Sequence, residues 1–137
     1  MSIARKVNRN ATGVGAVASL AIAIPSLVAY RVYASVHGVG CNSNSVWWFE
    51  VLLIAAWAIG GYLAADRELA TPLVHAALAA FLCYLVVGTV SAVVVAGAGR
   101  ARTCGHEAPI WSTLIFNALL ASSCGVLGGL VAARRRG

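Results

Sequence analysis

Two cysteines stand at equivalent places in the two halves of this sequence. Cys41 lies seven residues before Trp48, and Cys104 lies seven residues before Trp111. Thiols in an oxidising compartment form disulfides, and equivalent positions of two parallel repeats can meet near the axis that relates them. We therefore predict a disulfide between Cys41 and Cys104, which would close a long loop. Two free thiols are the alternative.

The same two cysteines could instead contribute to a metal site. His37 and His106 lie close to them in the sequence and would add two imidazoles to the two thiols. The spacings H-x3-C and C-x-H do not match a zinc-finger pattern, and the sequence has no C-x-x-C motif for redox chemistry. A metal centre is thus the minor alternative, and we expect no cofactor.

Three further polar side chains fall inside apolar segments, where such groups are functional hypotheses by default. For Glu50 we favour an interfacial role or an ion pair with Arg31 or Arg100, with proton or cation coupling as the alternative. His75 is interpreted as an interfacial residue rather than a ligand. Asn117 opens a short polar stripe that can form hydrogen bonds between helices.

The composition indicates which elements must position these residues. Of the 137 residues, 61% are hydrophobic and 10% are charged, and the mean hydropathy is +0.85. Soluble domains carry roughly a quarter charged residues, whereas a helix that crosses a bilayer needs about 20 mostly apolar residues. Four segments meet this requirement, so we predict an all-α integral membrane protein. The predicted spans are 13–36, 46–65, 73–98 and 108–133.

The four spans divide into two similar hairpins. The second ends on Gly60-Gly61 followed by Tyr-Leu-Ala-Ala, and the fourth ends on Gly128-Gly129 followed by Leu-Val-Ala-Ala. We predict a single domain over 1–137 that is built of two parallel repeats, at about 11–67 and about 70–135. The short connections leave no room for a soluble catalytic module.

Basic residues predict the orientation, because short cytoplasmic segments are enriched in Lys and Arg. Three basic residues would lie on the side of the Cys41 and Cys104 loops, and seven would lie on the opposite side. The seven are Arg5, Lys6, Arg9, Arg67, Arg134, Arg135 and Arg136. We predict a plasma-membrane protein with both termini in the cytoplasm, next to anionic lipid headgroups. A cleavable signal ending near 32–34 is the alternative for the first span.

Small residues recur four apart within the predicted helices and indicate close helix packing. Such pairs are Gly125 and Gly129 in the fourth span, Ala56 and Gly60 in the second, and Gly88 and Ala92 in the third. Ala121 and Ala132 extend the pair of the fourth span on much the same face, and the neighbouring Gly61 and Gly128 are also assigned to helix packing. We favour packing inside the bundle for these residues. Docking of another membrane protein on one such face is the alternative. Cys83 and Cys124, within helices, are expected to pack as small apolar residues.

Local signals predict where helices begin and bend. Thr12 is predicted as the N-cap of the first helix, and Pro25 is predicted to kink it. Thr71 followed by Pro72 predicts the start of the third helix, since proline is favoured at the first helical position.

The sequence carries no recognised catalytic or phosphate-binding motif, and it has no soluble basic surface for nucleic acid. We therefore expect a non-enzymatic protein. The favoured function is an accessory or assembly subunit that packs against a larger membrane complex. The alternative is a small transporter or channel that acts as an oligomer, supported by Glu50, Asn117 and the predicted kink at Pro25. Thiol or metal chemistry at the Cys41 and Cys104 loops is a third hypothesis.

Overall fold

The described part of the chain folds into helices joined by short connections. The computed structural model describes residues 8–37, 45–68, 70–97 and 110–136. These residues form α1 (Arg9–His37), α2 (Ser45–Arg67), α3 (Pro72–Gly97) and α4 (Ile110–Arg134). Each helix contains a stretch that is long and apolar enough to span a membrane. The all-α prediction with four candidate membrane spans is confirmed.

The start of α1 differs from the prediction. The side-chain oxygen of Asn8 accepts hydrogen bonds from the backbone N–H groups of Asn10 (3.1 Å) and Ala11 (3.3 Å). Asn8 is therefore the N-cap, a position that asparagine favours because it satisfies N–H groups left without a helical partner. The predicted cap, Thr12, lies inside the first turn and is buried.

Two other local predictions concern prolines. α3 begins at Pro72, directly after Thr71, as the sequence predicts. α1 continues through Pro25 to His37, and the hydroxyl of Ser26 donates to the carbonyl of Ile22 at 2.7 Å beside the proline. The kink at Pro25 stays a prediction.

Contacts along the helices define their directions. Gly15 of α1 contacts Gly60 of α2, and farther along α1 the ring of Tyr30 lies 5.2 Å from that of Phe49. α1 and α2 are therefore antiparallel. The hydroxyl of Tyr84 in α3 donates to the carbonyl of Leu114 near the start of α4 (3.2 Å), and Gly129 near the end of α4 contacts Ala76 near the start of α3. α3 and α4 are therefore antiparallel as well.

Both described chain ends lie at one end of the bundle. Asn8 contacts Glu68, and Arg136 pairs with Asp66, next to the end of α2. We call this the terminal end, and we call the opposite end, where α1 stops at His37, the loop end.

The helices do not all touch one another. α2 and α3 each contact the other three, whereas the described parts of α1 and α4 make no contact. A strict two-fold axis between the halves would make the α1–α4 and α2–α3 pairs equivalent. The two halves are thus packed differently, and the repeat remains an inference from the sequence.

Small residues fill the interior. Eleven of the buried hydrophobic residues are alanines, and the largest fully buried side chains are Cys83 and Ser19. Most leucine, valine and isoleucine side chains point outward. Lipid tails are as apolar as these side chains, so close backbone approach rather than hydrophobic burial holds such a bundle together.

The closest approaches involve the glycines that the sequence singled out. Gly60 packs on Ser19 of α1, Gly61 packs on the backbone of Gly125, and Gly128 packs on the carbonyl of Ala58. Any side chain at these glycines would collide with the neighbouring helix.

The same close packing extends from α4 to α3. A Cβ atom on Gly125 would lie 2.5 Å from the carbonyl oxygen of Ala76, and one on Gly129 would lie 2.8 Å from the Ala76 Cβ. By contrast, a Cβ atom on Gly88 would meet no atom within 4 Å. Gly88 and Ala92 are exposed, so this pair does not contribute to the interior packing.

Candidate functional site

The structure brings two of the three predicted intramembrane polar residues together. Glu50 and Asn117 line one cavity of about 350 Å³ between α2, α3 and α4, towards the loop end. We call it the loop-end cavity. His75 lies at the terminal end, where it contacts Asn8. The three residues therefore do not form one site.

The helical repeat explains how the loop-end cavity is lined. On α2, Glu50, Leu53 and Trp57 follow one another at three- and four-residue intervals and so share a face. α4 contributes Asn117, and α3 contributes Gly88, whose missing side chain leaves the space open. The cavity is mainly apolar, with a carboxyl and a carboxamide on opposite walls.

Glu50 also borders a second cavity, of about 280 Å³, on the α1 side of α2. Tyr30 and Phe49 form part of its wall. Among the described residues, neither Glu50 nor Asn117 has a hydrogen bond or an ion pair, and Arg31 does not pair with Glu50. The predicted alternative partner, Arg100, lies outside the described residues.

Sequence reasoning missed two aromatic residues of this site. Trp57 is buried beneath the loop-end cavity, and its ring meets that of Tyr84 edge to face with centroids 6.4 Å apart. The Tyr84 hydroxyl also bonds to Leu114 of α4. A signal was present in the sequence, since Trp57 stands seven residues after Glu50, which places it two turns along the same face.

His75 is the centre of a polar cluster at the terminal end. Its side chain is 2% exposed. Its Nε2 atom accepts a hydrogen bond from the backbone N–H of Asn8 (2.9 Å), and its Nδ1 atom lies 2.8 Å from the carbonyl oxygen of Thr71. Since a carbonyl can only accept, Nδ1 is the donor in this contact. The ring thus joins the start of α1 to the start of α3.

Further hydrogen bonds close the terminal end. The amide of Asn8 donates to Glu68 (3.0 Å), and Arg136 pairs with Asp66. Arg135 donates to the hydroxyl of Tyr62 (3.1 Å). This bond raises the pKa of Arg135 above its ordinary value.

An apolar layer separates the two polar regions. It consists of small or flat buried side chains between the loop-end cavity and the His75 cluster. They are Ala23, Ala56, Trp57, Ala80, Cys83, Ala121 and Cys124. The described residues thus provide no continuous polar path through the bundle.

The predicted cysteine chemistry falls on other parts of the chain. Cys41, Cys104 and His106 lie outside the described residues, so the disulfide and the metal alternative stay predictions. His37 is exposed, and its ring lies 4.5 Å from that of Tyr33. In the described ranges, no group of three His, Cys, Asp or Glu side chains is arranged to hold a metal ion.

Comparison with known proteins gives no relative. No protein-family model, curated protein sequence or solved structure matches this chain.

Proposed function

We propose that this protein is a non-enzymatic accessory or assembly subunit that packs against a larger membrane complex. The observation that carries the proposal is the loop-end cavity, an apolar cleft in which Glu50 and Asn117 have no described partner. Polar groups at membrane depth are costly unless they bind another polar group or reach water. A partner helix with a hydrogen-bond donor at this depth would satisfy both.

The surroundings of the cavity support a helical partner. Phe116 borders the cavity and is 65% exposed, and Ile54 is exposed on the facing helix. These side chains would pack against a partner helix. The terminal half, in contrast, already brings its own helices into backbone contact through Gly61 and Gly125.

Site-specific photo-crosslinking in native membranes tests the proposal. A photoreactive residue at Phe116 is expected to crosslink one larger membrane protein in stoichiometric yield. The same probe at Leu127, which is 61% exposed on the terminal half of α4, is expected not to do so. Glu50→Gln should weaken the Phe116 crosslink, and Ser123→Ala, an exposed polar change on α4, should leave it unchanged.

Asn117→Ala provides a graded test of the same interface. Hydrogen bonds between membrane helices contribute about 0.6 kcal/mol on average, which corresponds to roughly threefold in affinity. We expect Asn117→Ala to lower the affinity for the partner, and with it the Phe116 crosslink, by about this factor. Equal crosslinking from Phe116 and Leu127, or a Phe116 crosslink that Glu50→Gln does not affect, would contradict the proposal.

The second candidate function is a small oligomeric transporter or channel. It is favoured by one observation, that Glu50 and Asn117 line the same cavity. Because the apolar layer closes the single bundle, the path would have to run between copies. A crosslink from Phe116 to a second copy of this chain, together with Glu50-dependent solute uptake into vesicles, would support this function over the first.

We also propose that the protein lies in the plasma membrane with both termini in the cytoplasm, and that Cys41 and Cys104 form a disulfide outside. The charge asymmetry and the equivalent cysteine positions support this topology. Thiol labelling of intact cells would test it, because neither cysteine should react before reduction and both should react after it. Two reactive thiols before reduction would eliminate the disulfide.

A further inference from the structure

A groove on the outer side of α1 ends at two arginines. It is shallow and open along its length, with a volume of about 650 Å³. Gly13, Val17 and Ala21 follow one another at four-residue intervals along it, and Arg9 and Arg67 line its terminal end. The groove thus combines an apolar track with a cationic end.

The two arginines are available to a ligand. Both are exposed, and within the described residues neither has a hydrogen bond or an ion pair. The nearest described carboxylates are engaged elsewhere, since Asp66 pairs with Arg136 and Glu68 accepts from Asn8. Two guanidinium groups at one groove repel each other unless an anion lies between them. Arginine is well suited to a phosphate oxygen pair.

The length of the track fits half a bilayer. From Gly13 to Ala21 the helix rises by about 12 Å, at about 1.5 Å per residue. The hydrocarbon core of a bilayer is about 30 Å thick, so the track covers most of one leaflet of about 15 Å. An acyl chain that lies along Gly13, Val17 and Ala21 would end near the bilayer centre. Its headgroup would then stand beside Arg9 and Arg67.

We infer that this groove is a binding site for one anionic glycerophospholipid. The phosphate of the headgroup binds Arg9 and Arg67, and one acyl chain lies along α1 from Gly13 to Ala21. The site is independent of the proposed partner, because it lies on the opposite side of the bundle from the loop-end cavity, which α1 does not line.

The groove differs from a diffuse basic surface in having a defined apolar track. Arg134 carries the same charge at the same end of the bundle but does not line the groove. A general attraction of anionic headgroups would depend on Arg134 as much as on Arg9. Binding at a specific lipid site depends instead on Arg9, Arg67 and the apolar track together.

Native mass spectrometry of the full chain in mild detergent tests the inference. Phosphatidylglycerol and phosphatidylcholine with identical acyl chains are titrated separately. We expect one phosphatidylglycerol per chain, bound at least tenfold more tightly than phosphatidylcholine. Each of Arg9→Gln and Arg67→Gln should weaken the binding of phosphatidylglycerol about fivefold, as expected for a basic residue near a lipid surface. Arg134→Gln should change it less than twofold.

A steric variant tests the track separately from the charge. A Cβ atom on Gly13 meets no atom within 4 Å, so Gly13→Phe fills the groove without a clash at its first side-chain atom. We expect it to reduce phosphatidylglycerol binding at least fivefold while helix content, measured by circular dichroism, stays unchanged. Leu127→Phe, at a side chain that is 61% exposed on α4 and does not line the groove, is the control and should bind as the parent does.

Three results would overturn the inference. One is an equal loss in Arg134→Gln, which would indicate diffuse attraction. Another is full binding by a correctly folded Gly13→Phe variant, which would place the lipid elsewhere. The last is displacement of phosphatidylglycerol by millimolar inorganic phosphate, which would indicate a phosphate site without a role for the acyl chain.

Discussion

The half of the bundle next to the terminal end (the terminal half) and the half next to the loop end (the loop half) differ in how closely their helices pack. In the terminal half, glycine meets glycine across α2 and α4, as Gly61 does with Gly125. In the loop half, Glu50, Trp57 and Tyr84 occupy the facing surfaces, and cavities of about 350 Å³ and 280 Å³ lie beside them. Small residues allow helices to touch, whereas large or polar ones hold them apart.

Hydrogen bonding follows the same division. At the terminal end, His75 has both ring nitrogens engaged and links α1 to α3. In the loop half, the described structure leaves Glu50 and Asn117 without partners. The polar contacts between the described helix ends are thus concentrated in the terminal half, although the buried Thr12 hydroxyl there has no hydrogen-bond partner. Under the proposed function, stability comes mainly from the terminal half, and Glu50 and Asn117 of the loop half bind the partner.

The largest effect should come from a side chain placed between α2 and α4. Gly61→Leu would push against the backbone of Gly125, which cannot rotate away as a side chain could. Overpacking usually destabilises by about 1–3 kcal/mol, and we expect a value at the top of this range or above it. The free energy of unfolding, from SDS titration of the full chain in mild detergent, measures it.

The matched control is Gly88→Leu in the loop half, which makes the same change where a Cβ atom has open space. We expect it to be neutral or stabilising, because leucine favours a helix more than glycine does by nearly 1 kcal/mol. Equal losses in the two variants would break the contrast between the halves.

His75→Ala should give the next largest loss. It removes the acceptor of the partly buried Asn8 N–H, and a typical intramolecular hydrogen bond contributes about 0.5–1.5 kcal/mol. His37→Ala, at an exposed histidine, should change the free energy of unfolding by less than about 0.5 kcal/mol. His75→Gln, with an amide oxygen that can accept, should recover part of the loss. A neutral His75→Ala would show that the link does not stabilise the bundle.

The helices could be predicted from the sequence because their signals are local. Long apolar runs predicted all four helices, and Thr71 before Pro72 predicted the start of α3. The start of α1 was missed because two cap residues compete within one turn. Asn8 satisfies N–H groups one turn earlier than Thr12 would, so the helix is longer than its apolar run.

The sites could be predicted only in part, because they depend on which helices become neighbours. The sequence indicated that Glu50 and Asn117 were polar residues at membrane depth, but nothing in it placed them in one cavity. The interpretation of His75 as an interfacial residue stays a prediction, but the sequence did not indicate that its ring is buried and bonded to the backbone of Asn8 at the start of α1. Such contacts between distant segments leave no periodic trace in a single sequence.

Ser19→Ala should produce a smaller loss. The buried Ser19 hydroxyl donates to the carbonyl of Ala56 across α1 and α2 (2.9 Å). Hydrogen bonds of this kind contribute about 0.6 kcal/mol in membranes. Thr89→Ala is the control, because the exposed Thr89 hydroxyl bonds only to Leu85 of its own helix. Identical stabilities of the parent and Ser19→Ala would indicate that backbone contact alone holds α1 to α2.

Glu50→Gln should have the smallest effect on stability. It therefore separates a role of the loop half in partner binding from a role in folding. Glu50 has no described partner to lose, and its side chain is exposed, so the free energy of unfolding of the isolated chain should change by less than about 0.5 kcal/mol. The same variant should weaken the Phe116 crosslink in native membranes. A loss of stability above about 1 kcal/mol in the isolated chain would mean that Glu50 supports the fold. The loop half would then be a structural element like the terminal half, and not the surface that binds a partner.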